Sequence, residues 1–102
     1  DFMVSNEPFL NPELTLKELS LDLKIPERLL SGVINQYNNQ NFYDFVNYFR
    51  VEKAKRLLIE NESRQKTIQE IIWDSGFNSK STFNLAFKKF TGTTPSEFKK
   101  AQ

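Results

Sequence analysis

The feature that most constrains this chain of 102 residues is an internal repeat. A shift of 52 positions places Thr15 on Thr67 and Glu18 on Glu70. The residues around this pair coincide as well, namely Leu16 with Ile68, Leu19 with Ile71, Asp22 with Asp74, and Ile25 with Phe77. Self-similarity of this kind indicates that one supersecondary unit is built twice.

The repeat continues after one additional residue in the second copy. The shift then becomes 53, and the coinciding pairs are Leu30 with Phe83, Val33 with Ala86, Ile34 with Phe87, Tyr37 with Phe90, Asp44 with Glu97, and Phe45 with Phe98. The residue pattern of each copy predicts a short capped helix, a turn of about three to five residues, a second helix with an apolar stripe, and the start of a further helix. This is the layout of a helix-turn-helix.

The spacing of the apolar residues predicts an all-α fold. Apolar side chains recur every three or four positions, strand-like alternation is nowhere sustained, and the chain holds only three Gly and four Pro. The predicted inward stripes are Leu16, Leu19, Leu23; Leu30, Val33, Ile34, Tyr37; Phe42, Phe45, Val46, Phe49, Ala54, Leu57, Leu58; Ile68, Ile71, Ile72; Phe83, Ala86, Phe87, Phe90; and Phe98. We therefore expect six helices, with a seventh in residues 1–9.

Polar segments and caps divide the chain. Thr15, Thr67 and Thr94 each precede a glutamate by three residues, which is the spacing of a capping box, and Asn41 with Asp44 is a looser version. The polar segment 61–66 is expected to end the longest helix. We divide the chain into a first helix-turn-helix subdomain in residues 1–41, a linker helix in 42–60, and a second helix-turn-helix subdomain in 61–102.

Composition excludes several classes of protein. The chain has no Cys and no His, so disulfides, thiolate nucleophiles, imidazole bases and ordinary zinc sites are excluded. The scattered carboxylates have no partner base, and we expect no enzyme activity, no cofactor and no metal. No apolar run approaches the roughly 20 residues of a membrane span, so we expect no membrane contact. Because the chain begins at Asp1, we expect it to be part of a longer protein.

Charge is distributed unevenly between the two halves. Residues 1–60 hold seven basic and nine acidic residues, a net charge of −2, whereas residues 61–102 hold seven basic and four acidic residues, a net charge of +3. This asymmetry permits a basic patch near the C-terminus for an anionic partner.

The outward face of the second helix in each copy carries the candidate site. Rotation by about 100° per residue from the apolar stripe identifies these positions. They are Ser81, Leu85 and Lys88, flanked by Lys80 and Asn84, in the second copy, and Arg28, Gly32 and Asn35, flanked by Glu27 and Ser31, in the first. Basic and amide side chains can read base edges, and an outward Leu can touch a thymine methyl group.

Other residues have simpler interpretations. The phenylalanines lie on apolar stripes and are predicted to be core residues, and Trp73 is predicted to be a core or inter-helix contact. Lys88, Lys89, Lys99 and Lys100 form the densest basic group, for which we expect phosphate contacts. A helical protein-interaction module without DNA binding is the alternative function, favoured by the near-neutral net charge and the 14% aromatic content.

Three stretches of the sequence resemble the C-terminal DNA-binding domain of AraC/XylS-type bacterial transcription regulators. The strongest stretch is GFNSKSTFNLAFKKFTGTTPSEFKK, from Gly76 to Lys100, and FLNPELTLKEL and FRVEKAKRLL resemble the start of the family's first module and its linker helix. The family positions in the strongest stretch are Gly76, Phe77, Phe83, Phe87, Lys88, Gly92, Pro95 and Phe98. The resemblance implies two helix-turn-helix subdomains, each presenting a recognition helix to the major groove.

The resemblance also implies roles and partners. The base-reading positions fall on Arg28, Ser31 and Gly32 in the first module and on Lys80, Ser81, Asn84 and Leu85 in the second. The implied partners are double-stranded DNA, a sensor or dimerisation domain N-terminal to this chain, and RNA polymerase, and the implied location is the cytoplasm.

Four positions depart from the family pattern. Many members carry arginine where Gly32 and Leu85 stand, a turn glycine is common at Lys24, and a capping serine is common at Pro26. We therefore expect a distorted or loosely held first module, with most of the sequence reading performed by the second.

Overall fold

The computed structural model describes residues 2–38, 40–61 and 65–101, with the side chains of residues 37 and 38 excepted. Within these ranges every regular element is helical, which confirms the all-α prediction. The elements are α1 (Phe2–Asn6), a 3-10 turn (Pro8–Leu10), α2 (Leu16–Leu23), α3 (Glu27–Asn38), α4 (Phe42–Glu60), α5 (Ile68–Asp74), α6 (Lys80–Thr91) and α7 (Pro95–Lys100). The predicted helix in residues 1–9 is the short α1. Most of the predicted link after α4, at positions 62–64, lies outside the described residues, as does the side chain of Tyr37.

The predicted helix caps are confirmed. Capping boxes start α2, α5 and α7. In each box the threonine side chain (Thr15, Thr67 or Thr94) accepts a hydrogen bond from the backbone amide of the glutamate three residues later. The carboxylate of that glutamate accepts a hydrogen bond from the threonine amide. At α4 the Asn41 side chain accepts from the amide of Asp44 at 2.8 Å. These bonds satisfy amides that the first helical turn leaves without a partner.

The turn that follows the first helix of each module has the same geometry in both copies. The amide of Ile25 donates to the carbonyl of Ser20 at 3.1 Å, and in the second copy Phe77 donates to Ile72 at 3.1 Å. Lys24 has φ 58°, the left-handed conformation that its counterpart Gly76 adopts with φ 99°. The expected distortion of the first module at this turn is therefore wrong, because the lysine takes the conformation that favours glycine.

The start of the second helix differs between the copies. The Ser79 side chain accepts from the amide of Thr82 at 3.1 Å and caps α6. Pro26, at the equivalent position, has no side-chain acceptor, although its carbonyl still accepts from Leu30 at 3.0 Å. The first module thus keeps the helix start and lacks one capping bond.

Two hydrophobic cores share α4. One core contains residues of the N-terminal half, and the other contains residues of the C-terminal half. Val46 of α4 belongs to the first core, whereas Val51, Ala54 and Leu58 belong to the second. The buried members from the other elements are Met3, Phe9, Leu14, Leu19, Leu30 and Ile34 in the first core, and Ile71, Ile72, Phe77, Phe83, Ala86 and Phe87 in the second.

Three predicted core positions are wrong. Val33 is 41% exposed, Ile68 is 43% exposed, and Trp73 is 60% exposed. Val33 is uncovered because α3 packs mainly on α2 and α4, whereas its counterpart Ala86 lies on α6, which packs on α4, α5 and α7. Ile68 and Trp73 lie at the two ends of α5, outside the buried pair Ile71 and Ile72. None of the described helices has the length and apolar character needed to cross a membrane.

Candidate nucleic-acid interface

The second module presents a groove on α6 that is lined by basic, amide and apolar side chains. Lys80, Asn84, Leu85 and Lys88 line one side of this groove, which has a volume of about 590 Å³. The other lining residues are Ile68 of α5 and, at the start of α7, Thr94, Pro95 and Ser96. Ser81 is exposed on the same helix outside this lining. The structure thus brings together four of the five predicted recognition residues of this module.

Leu85 is the most exposed large apolar side chain on α6. Its side chain is 75% exposed, while Phe83, Ala86 and Phe87 on the same helix are buried. The predicted division of α6 into an inward and an outward face is therefore correct. An apolar group among ammonium and amide groups can contact a thymine methyl while its neighbours donate to bases.

The two lysines near the end of α6 differ in their surroundings. Lys88 is exposed and lines the groove. The Nζ of Lys89 lies 2.9 Å from a carboxylate oxygen of Asp44, and it stands 5.7 Å from the centre of the Phe90 ring. Lys89 therefore connects α6 to the first turn of α4, and its charge is partly neutralised.

Lys99 also has a structural contact. Its Nζ donates to the carbonyl of Leu58 in the last turn of α4. The last carbonyls of a helix have no partner within the helix, so this lysine satisfies one of them. Lys100 is exposed.

The groove of the first module has one basic side chain, whereas the groove on α6 has two. Arg28 and Gly32 line a groove of about 340 Å³ together with Pro26, Leu29, Val33 and Gln36. Leu29 is 55% exposed and Val33 is 41% exposed, so two large apolar side chains face solvent beside Arg28. The other two predicted residues do not line this groove, since Ser31 is half-buried and Asn35 is exposed elsewhere on α3.

Gly32 is not required by packing. The space that its Cβ would occupy is open among the described residues. A glycine inside a helix costs roughly 0.5–1 kcal/mol relative to alanine. Gly32 therefore contributes no side chain to the outward face of α3, on which Arg28 also lies. The groove of the first module offers fewer hydrogen-bonding side chains than the groove on α6.

Arg50 is a residue that the sequence analysis did not single out. It lies on α4 and is only 8% exposed, and its burial lowers its pKa. Its position is four residues after Val46 and four before Ala54, both buried, so a charged residue interrupts an apolar stripe. That interruption is the sequence signal for a buried arginine.

Comparison with known proteins gives the family. A helix-turn-helix domain family matches residues 19–101. The transcriptional regulatory protein YesN of Bacillus subtilis is 36% identical over 95 residues, which cover 90% of this chain and 25% of that protein. This chain thus spans about a quarter of the length of that relative.

Solved structures show the same fold. The C-terminal domain of AraT, a response regulator from Geobacillus stearothermophilus, has a TM-score of 0.77 and 29% identity, covering 94% of this chain and 77% of that one. A transcriptional regulator from Chromobacterium violaceum, described as containing an AraC-type DNA-binding domain, has a TM-score of 0.75 and covers 95% of this chain and 94% of that one. At 20% identity, the latter shows the fold alone. With the match over residues 19–101, this chain belongs to the family of AraC-type helix-turn-helix DNA-binding domains.

Proposed function

We propose that this chain binds double-stranded DNA sequence-specifically, with α3 and α6 in successive major grooves on one side of the duplex. In this arrangement the first module extends over residues 1–41 and the second over residues 61–102, and α4 is the linker between them. The long dimension of the protein is 43 Å. This length accommodates two recognition helices about 34 Å apart, one turn of B-DNA.

The observation that carries this proposal is the composition of the α6 groove. Lys80 and Lys88 supply charge, Asn84 supplies an amide that can pair with adenine, and Leu85 supplies an apolar contact. None of the four has a hydrogen bond or an ion pair described in the structure that would keep it from a ligand. A surface used only for protein contacts does not require lysines at both ends of such a groove.

The family match favours DNA binding over a protein-interaction module. The role we propose for this chain is recognition without catalysis. Because YesN is about four times as long as the matched region, we also propose that a regulatory domain elsewhere in a longer protein controls binding. RNA polymerase is a further partner in this proposal.

We propose an unequal division of labour between the modules. Lys80, Ser81, Asn84 and Leu85 read bases, and Lys88 and Lys89 contact phosphates, with the larger share from Lys88. In the first module Arg28 anchors one base, while Ser31, Gly32 and Asn35 contribute less, because Gly32 has no side chain and the other two lie outside the groove that Arg28 lines.

The test is selection of bound duplexes from a random pool, followed by the same selection with single alanine variants. Asn84→Ala and Lys80→Ala are expected to relax preference at one or two base positions, each contact being worth about 1–3 kcal/mol of discrimination. Ser31→Ala is the matched control in the first module and is expected to change the selected site less.

Two results would contradict the proposal. Absence of duplex binding at low salt would contradict DNA recognition. A larger loss of base preference for Ser31→Ala and Arg28→Ala than for the two α6 variants would contradict the ranking of the modules.

A further inference from the structure

The two modules meet directly at the turn of the second one. The 3-10 turn Pro8–Leu10 packs against α4, and its Phe9 side chain belongs to the first core. The Phe9 carbonyl lies so close to Gly76 that a Cβ on this glycine would overlap it. Gly76 follows α5, in the turn that leads to recognition helix α6. The first module therefore touches the second immediately before the helix that carries the candidate recognition groove.

Arg50 lies at this junction and contacts both sides of it. Its Nε donates to the carbonyl of Phe9 at 2.8 Å, and its Nη2 donates to the carbonyl of Asn11 at 2.9 Å. On the other side its guanidinium stands 5.9 Å from the centre of the Phe77 ring. The Nη1 donates to the side chain of Asn47 at 2.9 Å, which fixes the rotation of the guanidinium plane.

These contacts are directional, whereas the surrounding apolar contacts are not. A guanidinium offers a planar, rigid set of donors, so its acceptors must stand at defined positions. Apolar burial depends on area and tolerates sliding of one surface on another. Among the described residues no carboxylate lies within ion-pair distance of Arg50, so the charge is held by carbonyl oxygens. A buried charge of this kind is weak evidence for stability, and its best-attested use is to select one arrangement.

We propose that Arg50 is a positioning residue that fixes the placement of one recognition helix relative to the other, and thereby the spacing between the two DNA half-sites that the protein accepts. This inference rests on the proposed function. Adding one base pair between half-sites moves one of them by about 3.4 Å and rotates it by about a tenth of a turn. A protein with rigidly placed helices loses contacts on such a duplex, while one with a loosened junction adapts to it.

The experiment measures affinity for the selected duplex and for versions with one base pair added or removed between the half-sites. The wild-type chain is expected to lose affinity by about tenfold or more, the equivalent of one base contact. Arg50→Met is expected to reduce this loss to about twofold or threefold. A purely structural role would weaken binding to all three duplexes equally and leave their ratio unchanged.

Arg56→Met is the matched control. Arg56 lies on the same helix and its side chain is 63% exposed, with a carboxylate oxygen of Glu7 at 3.7 Å. The substitution removes the same charge and leaves in place the Arg50 donors to the carbonyls of Phe9 and Asn11, so the wild-type spacing preference is expected to remain. If Arg50→Met does not fold, Arg50→Lys replaces it, because lysine keeps the charge and lacks the planar donor set. Retention of the full spacing preference by the Arg50 variant would overturn the proposal.

A second measurement needs no DNA. The chain contains no cysteine, so spin labels attached to Lys17→Cys in α2 and Lys100→Cys in α7 report one distance between the modules. We expect a narrow distance distribution in the otherwise wild-type chain and a broader one with Arg50→Lys. Identical distributions would overturn the role of Arg50 even if the protein binds DNA. If the widths differ but no duplex is bound, the positioning role stands and the proposed function fails.

Discussion

Replacing Lys24 by glycine is expected to stabilise the protein. Lys24 has φ 58° and ψ 40°, and an L-residue in this left-handed region costs roughly 1–2 kcal/mol. Glycine has no such cost, but it loses roughly 0.5–1 kcal/mol more through the conformational freedom of the unfolded chain. The expected net gain for Lys24→Gly is therefore about 0.5–1 kcal/mol. In a domain of this size that gain raises Tm by about 2–8 °C.

The measurement is thermal and urea unfolding, followed by circular dichroism and by the fluorescence of Trp73, the only tryptophan. Lys24→Ala is the control, because it removes the lysine side chain and keeps the backbone requirement. The opposite exchange, Gly76→Ala, is expected to destabilise the protein, since φ is 99° there and the new Cβ would overlap the Phe9 carbonyl. A Lys24→Gly protein that is no more stable than Lys24→Ala would refute the assignment of strain to this residue.

Three further predictions concern the core, a helix cap and the DNA face. Phe87→Ala should lower the free energy of unfolding by about 3–5 kcal/mol because this ring is fully buried, and an unchanged urea midpoint would show otherwise. The hydrogen bond from the Thr94 amide lowers the pKa of Glu97. The stability that this shift contributes is present above the unfolded pKa of about 4.3 and is lost as the pH falls through the lower folded value. The stability difference from Glu97→Gln should therefore shrink on acidification, and a pH-independent difference would count against this cap. Lys88→Ala should reduce the salt dependence of DNA affinity by about one unit of slope, and Lys89→Ala by less; equal reductions would contradict the different surroundings of the two lysines.

Local features of the fold could be read from the sequence because neighbouring residues determine them. A threonine and the glutamate three residues later form a capping box largely independently of the rest of the protein, and the structure contains all three predicted boxes. The repeat also predicted the equivalent turns. It could have placed Trp73 at the surface, since its counterpart Leu21 stands outside the predicted inward stripe, and both residues are exposed in the structure.

Features that depend on distant residues could not be read in this way. Helical rotation predicted the groove residues on α6, but not those that α5 and the start of α7 contribute, such as Ile68 and Pro95. Lys89 pairs with Asp44, which lies 45 positions earlier in the chain, and no local pattern indicates this contact. The contacts of Arg50 with Phe9 and Asn11 span 41 and 39 positions. A charged residue within an apolar stripe signals that a partner exists without identifying it.

The sharing of α4 between the two cores has a consequence for cooperativity. Val46 holds one end of the helix in the first core, and Ala54 and Leu58 hold the other end in the second. Melting of either core would expose apolar residues of a helix that the other core still requires in folded form. We therefore expect the two copies of the repeat to unfold as one unit, and a ligand bound to either copy to protect the amides of both from hydrogen exchange.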